Sequence, residues 1–177
     1  DAFPDYPHYS VWHDGYYLTA NKTQGDKVYV LDRQAMIDGD EDPTIIGFNL
    51  PQFIRNPTTV ISPEPANLVG NDADADSPAF IVYLQDGSWG GVSYDHIKVW
   101  TIETDFVTPD NSTVSETFTD LAIDDYIFEI TDTYGDGICC SYGSGSYTLK
   151  QGSTTLASGA SFTSSETKQI CVGQTSG

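Results

Sequence analysis

Positive charge is what this chain has least of. Lys and Arg together number 7 against 26 Asp and Glu, a formal net charge of −19 over 177 residues. So acidic a surface repels phosphate backbones and anionic headgroups, which sets aside nucleic acid and anionic membranes as partners. It suits a protein that binds cations or works in salty medium, where charges are screened within about 8 Å, although simple solubility accounts for the same excess. Long apolar runs are also missing. None approaches the roughly 20 residues of a membrane-crossing helix, so membrane insertion is not expected. The opening Asp1-Ala2-Phe3-Pro4 has neither the basic nor the apolar region of a signal peptide, and an export signal is expected to have been removed or to lie outside this sequence. Methionine occurs once, and helix formers in amphipathic register are scarce, whereas aromatics reach 12% with eleven Tyr. That balance favours strands, and 38% hydrophobic residues suffice for a packed core.

Composition changes near residue 116. Residues 1–116 carry 19 acidic and 5 basic side chains, and residues 117–177 carry 7 and 2 with abundant Gly and Ser. In the first segment, 15–20 and 27–32 are β-prone runs joined by a polar turn and read as a strand pair. Arg33 to Ile37 reads as one helical turn. Residues 79–85 and 96–104 form two more β-prone runs around the glycine-rich turn 86–91, and the Pro-bearing stretch 56–65 reads as loop or edge. In the second segment Tyr126, Phe128 and Ile130 alternate onto one strand face, as do Tyr147 and Leu149. Short runs at 154–157 and 168–172 complete a unit of about 60 residues, small enough to need a disulfide or metal staple. The expected fold is all-β: a propeller-like or irregular antiparallel segment over 1–116, then a small β-sandwich or jelly-roll-like module over 117–177. The first segment holds too few strands to close a propeller.

Chemistry concentrates in Asp132-Thr133-Tyr134-Gly135-Asp136-Gly137-Ile138-Cys139-Cys140. Carboxylates at Asp132 and Asp136 around a tight glycine turn suit calcium, with Asp124 or Asp125 on the preceding strand as further ligands; the alternative is a hairpin in which Asp and Gly serve turn geometry alone. Asp72, Asp74 and Asp76 alternate as in the first half of an EF-hand loop but lack its glycine and distal glutamate, so a solvated acidic loop is the competing reading. Asp38, Asp40, Glu41 and Asp42 form a third acidic cluster. Three cysteines cannot all pair within one chain. Because a vicinal Cys139–Cys140 bridge is strained, the expected bond joins Cys171 to Cys139 or Cys140, and cysteine pairing points outside the reducing cytosol.

Catalytic signatures are sparse. His8, His13 and His96 have no HExxH companion, Gly143-Ser144-Gly145-Ser146 lacks GxSxG spacing, and no phosphate loop is present. Paired carboxylates in so acidic a chain identify no glycosidase. Trp12, Trp89, Trp100 and the tyrosines either line a sugar platform or fill β cores.

Two resemblances bear on these residues. Residues 3–12 and 14–21, with 28–36, 62–68 and 97–100, resemble the opening of a propeller-like domain in large secreted bacterial proteins. Residues 125–172 resemble a small extracellular β module of secreted bacterial proteins, through Tyr126-Ile127-Phe128, the 132–140 run, Tyr142-Gly143-Ser144-Gly145-Ser146-Tyr147, Gly159, Phe162 and Cys171. In that module a further cysteine commonly precedes the strand beginning at Tyr126; this chain has Asp125 there.

Together these readings lead us to expect a secreted or cell-surface β protein, stabilised by calcium, with a structural, adhesive or ligand-display role. Extracellular glycans or other surface proteins are the expected partners. The alternatives are a non-catalytic or partial piece of a secreted hydrolase, and a filament subunit completed by neighbouring chains through β edges.

Overall fold

The computed structural model describes residues 5–22, 25, 27–70, 77–118, 121–132, 135, 137–139 and 145–173. It is mostly antiparallel sheet, with no helix long and apolar enough to cross a membrane among the described residues. The chain divides into two compact units, Asp1–Thr117 and Phe118–Gly177.

The first unit contains two four-stranded antiparallel meanders in series. One is built from β1 (Asp5–Val11), β2 (Gly15–Asn21), β3 (Val28–Asp32) and β4 (Ile45–Phe48), in that spatial order. The other runs β5 (Glu64–Pro65), β6 (Ala79–Gln85), β7 (His96–Glu103) and β8 (Thr113–Glu116). Helix α1 (Arg33–Asp38) follows β3; the Asp32 carboxylate accepts from Ala35 N–H at 3.0 Å, and Gly39 ends the helix at φ 80°. The expected strand pairs are β2 with β3 and β6 with β7. The four strands not foreseen individually, β1, β4, β5 and β8, are the sheet edges. Edge strands need less continuous apolar patterning and tolerate proline, as at Pro7 and Pro65.

Strand alternation builds the core. On one face of the first sheet, Ser10, Tyr17, Val30 and Ile46 form one cross-strand row and His8, Thr19, Val28 and Phe48 the next. Tyr17, Val28, Val30, Ile46 and Phe48 share one buried cluster with Ala79, Ile81, Tyr83, Trp100 and Ile102 of the second sheet, so the sheets pack face to face. Burying a large side chain here removes about 1.5–3 kcal/mol worth of apolar surface from water. Both core tryptophans satisfy their indole N–H: Trp12 donates to Ser77 O at 2.8 Å and Trp100 to Pro51 O at 3.0 Å.

Polar ties close the seam between the sheets. Leu68 N–H donates to Val11 O at 3.0 Å, and Thr19 Oγ1 donates to Pro63 O. The Asp14 carboxylate accepts from the hydroxyls of Tyr17 and Thr104, and burial, then this carboxylate, raises the Tyr17 pKa far above that of a free phenol. Lys98 and Glu116 pair at 2.6 Å with side chains 10% and 8% exposed. Removing either partner alone would strand a buried charge.

The second unit has two two-stranded sheets. β9 (Asp124–Thr131) pairs with β12 (Ser165–Val172), and β10 (Tyr147–Gln151) forms a hairpin with β11 (Thr154–Gly159). The rings of Phe128 and Tyr147 meet at 5.2 Å, and Tyr147 donates its hydroxyl to Glu166. Of fifteen buried hydrophobic residues among those described, Ala157 alone lies in this unit.

Candidate functional site

The loop after β9 is shaped by its own backbone. Asp132 N–H donates to Ser164 O at 2.7 Å, and Asp132 Oδ2 accepts from Gly137 N–H at 2.8 Å. Gly135 and Gly137 sit at φ 78° and 76°, and a Cβ on Gly137 would strike the Phe162 carbonyl. Only glycine fits position 137. Asp132 therefore closes the turn, the geometric role that competes with metal ligation. Asp136 and Cys140 lie outside the described residues.

The structure separates residues that the sequence reading grouped. Asp124 and Asp125 begin β9 and Asp132 follows its end; extended chain from Asp125 to Asp132 spans about 23 Å, too far for one ion. Asp124 and Asp125 cannot complete a site at Asp132. Asp72, Asp74 and Asp76 lie outside the described residues. In the third acidic cluster Asp40 Oδ1 accepts from Asp42 N–H, and Asp38 accepts from Gln34 at 2.9 Å. These are local turn and helix contacts. Among the described residues no three His, Cys, Asp or Glu side chains converge as metal ligands.

The expected bridge from Cys171 to Cys139 or Cys140 is corrected. Cys171 is a free, exposed thiol, and Cys139 is disulfide-bonded without it. The ladder supplies the reason. Cys171 faces Asp125 across β12 and β9, whereas the loop leaves the sheet where Ser165 faces Thr131, six residues and about 20 Å away along the strand. Asp125 accepts a hydrogen bond from Cys171 Sγ. That hydrogen bond, with lesser contributions from burial and the carboxylate's charge, raises the thiol pKa and disfavours the reactive thiolate. Ile123, Asp124, Asp125, Cys171 and Val172 line a pocket of about 210 Å³ around the pair.

The histidines serve separate local contacts. His8 Nδ1 meets Glu64 Oε2 at 2.9 Å, the His13 ring packs edge-on to Trp12, and His96 Nδ1 lies 2.8 Å from Tyr94 O. The tryptophans do not form a surface platform: Trp12 and Trp100 are buried and Trp89 packs against the core.

What the sequence reading missed is the outward surface of the first unit. On the solvent side of the first sheet Val11, Tyr16, Leu31 and Ile45 form one row, and Tyr9, Leu18, Tyr29 and Gly47 the next. On the solvent side of the second sheet Val82 faces Val99 and Leu84 faces Ile97. Tyr9 is 73% exposed, Ile45 59%, Leu84 56% and Ile97 65%. The signal was available: β3 and β6 are apolar at nearly every position, the pattern of strands covered on both faces, and β7 carries Ile97 and Val99 on the face opposite Trp100 and Ile102.

Comparison with known protein families, curated proteins and solved structures finds no match.

Proposed function

We propose that this chain is a non-catalytic, secreted or cell-surface β protein that works by contact, in adhesion, extracellular assembly or ligand display. One observation carries the reading: both outward sheet faces of the first unit bring large apolar side chains to solvent, led by Tyr9, Ile45, Leu84 and Ile97. Contiguous apolar surface rimmed by polar residues marks interaction sites in soluble proteins. The acidic surface and the cysteine pair of the 132–140 loop support a setting outside the cytosol. In this reading calcium belongs to the Asp132–Asp136 loop, where left-handed glycines at 135 and 137 curl the chain as a hard cation requires. The ion would rigidify the loop and draw carboxylates together in a chain of net charge −19.

The reading is tested with beads carrying the immobilised chain, scored for retention on protein-coated and glycan-coated surfaces with calcium or with EDTA. Retention well above albumin-coated beads is expected, reduced by EDTA and by Tyr9→Lys with Ile97→Lys. Beads that behave like albumin controls would overturn the contact role. Calcium-insensitive retention would remove the ion from it.

A further inference from the structure

We infer that the two outward faces of the first unit are the two halves of one self-contact, in which the outer face of the first sheet docks on the outer face of the second sheet of the next copy. The inference rests on the contact role proposed above and names the partner as a second copy of this chain.

The junction already inside the unit shows how such a face is covered. There, apolar rows of β2 to β4 lie against apolar rows of β6 and β7 with the sheets face to face. The outer faces continue the same strands with residues of the same classes, Leu18, Tyr29 and Leu31 on one side and Val82, Leu84 and Val99 on the other. A docked copy would therefore extend an existing stack in the mode it already uses. The rim offers one complementary pair of charges: Lys22 lies 5.0 Å over the Tyr29 ring at the border of the first face, and Glu103 is exposed on the strand that carries Val99, whereas Glu64, in register with Val82, is already paired with His8.

Head-to-tail order follows the internal junction, where unlike sheets meet. A two-fold dimer through one face leaves the other in water, whereas joining unlike faces covers both and repeats into a ring or fibre. Glycan fits less well. Tyrosines lie on the first face, but Val82, Leu84, Ile97 and Val99 of the second offer no hydrogen-bonding group to sugar hydroxyls, and a sheet-borne aliphatic surface matches another sheet.

Sedimentation velocity of the full chain, in calcium-containing buffer at physiological ionic strength, tests the inference. The sedimentation coefficient is expected to rise with protein concentration. Ile45→Lys on the first face and Ile97→Lys on the second should each weaken assembly about tenfold or more, because each buries a lysine charge at the contact. Both positions are more than half exposed, and near-ultraviolet circular dichroism verifies that the variants fold. An equimolar mixture of the two variants should recover dimers and nothing longer, since one intact face of each kind remains to pair. A wild-type chain that stays monomeric, a variant that assembles like wild type, or a mixture that stays monomeric overturns the inference. Bead retention by a strictly monomeric chain would leave the contact role standing and assign the faces to another partner, glycan included. Loss of both retention and assembly would sink the contact role itself.

Discussion

The two units of this chain are held together by different means. The first encloses a core in which Val28, Val30, Ile81, Trp100 and Ile102 are fully buried, closed by indole and hydroxyl hydrogen bonds to backbone carbonyls. The second has Ala157 as its one buried hydrophobic residue among those described. It relies on a ring contact, a Tyr147–Glu166–Lys168 chain and a glycine-dependent loop. A unit of about 60 residues buries a smaller share of its surface than a large one and is correspondingly marginal, so its stability leans on a few local interactions. Surface chemistry divides the same way: the unit with the strong core also presents apolar faces outward.

Core truncation should separate the units most sharply. Trp100→Ala is expected to cost about 3–5 kcal/mol, read as a lowered denaturation midpoint for the first unit. A transition shifted equally in both units would contradict their independence.

Next in size is a gain. Asp125→Cys places a cysteine directly opposite Cys171, and an oxidised cross-strand bond closing that long loop should add about 2–4 kcal/mol to the second unit. Mass spectrometry should find the 125–171 bond, and melting should rise only in the oxidised form. Two free thiols after oxidation would show that the register is wrong.

Acid and alkali should both act on the second unit. The hydroxyl of Tyr147, then Lys168, hold the Glu166 carboxyl below its ordinary range, so its contribution is full above about pH 4.3 and is lost as pH falls. Burial, then the hydrogen bond and charge of Glu166, push Tyr147 up to about 12. Its contribution is full below about pH 10 and disappears as pH rises towards 12. Tyr147→Phe should therefore flatten both limbs of the melting-temperature profile. An unchanged profile would mean the pair does not couple in solution.

The smallest effect concerns reactivity. Asp125→Asn should shift the alkylation profile of Cys171 to lower pH and speed iodoacetamide labelling at neutrality, with little change in melting, because the raised thiol pKa traces first to this carboxylate. Identical labelling rates would place the thiol elsewhere.

The sequence made the central strands legible, because β2, β3, β6 and β7 carry runs of Val, Ile, Leu and Tyr that no helix period explains. Edges such as β1, with Pro7 and His8 among its tyrosines, carry no such run. The composition step at residue 116 lies beside the division at Thr117 and Phe118. Site geometry was less visible, for a physical reason. Whether Asp124 and Asp125 stand near Asp132 depends on β9 staying extended through all eight residues, and whether Cys171 reaches the loop depends on the β9–β12 register. Both are long-range facts that local spacing does not encode.

The most direct test of the account is amide hydrogen exchange followed separately in the two units, in buffer and then in a moderate concentration of urea. The account expects β2, β3, β6 and β7 to keep their protection in both conditions, while β9, β10, β11 and β12 lose theirs in the denaturant. Protection in the second unit that survives the urea, or its loss from the first unit as well, would contradict the division between a core-held unit and one held by a few local contacts.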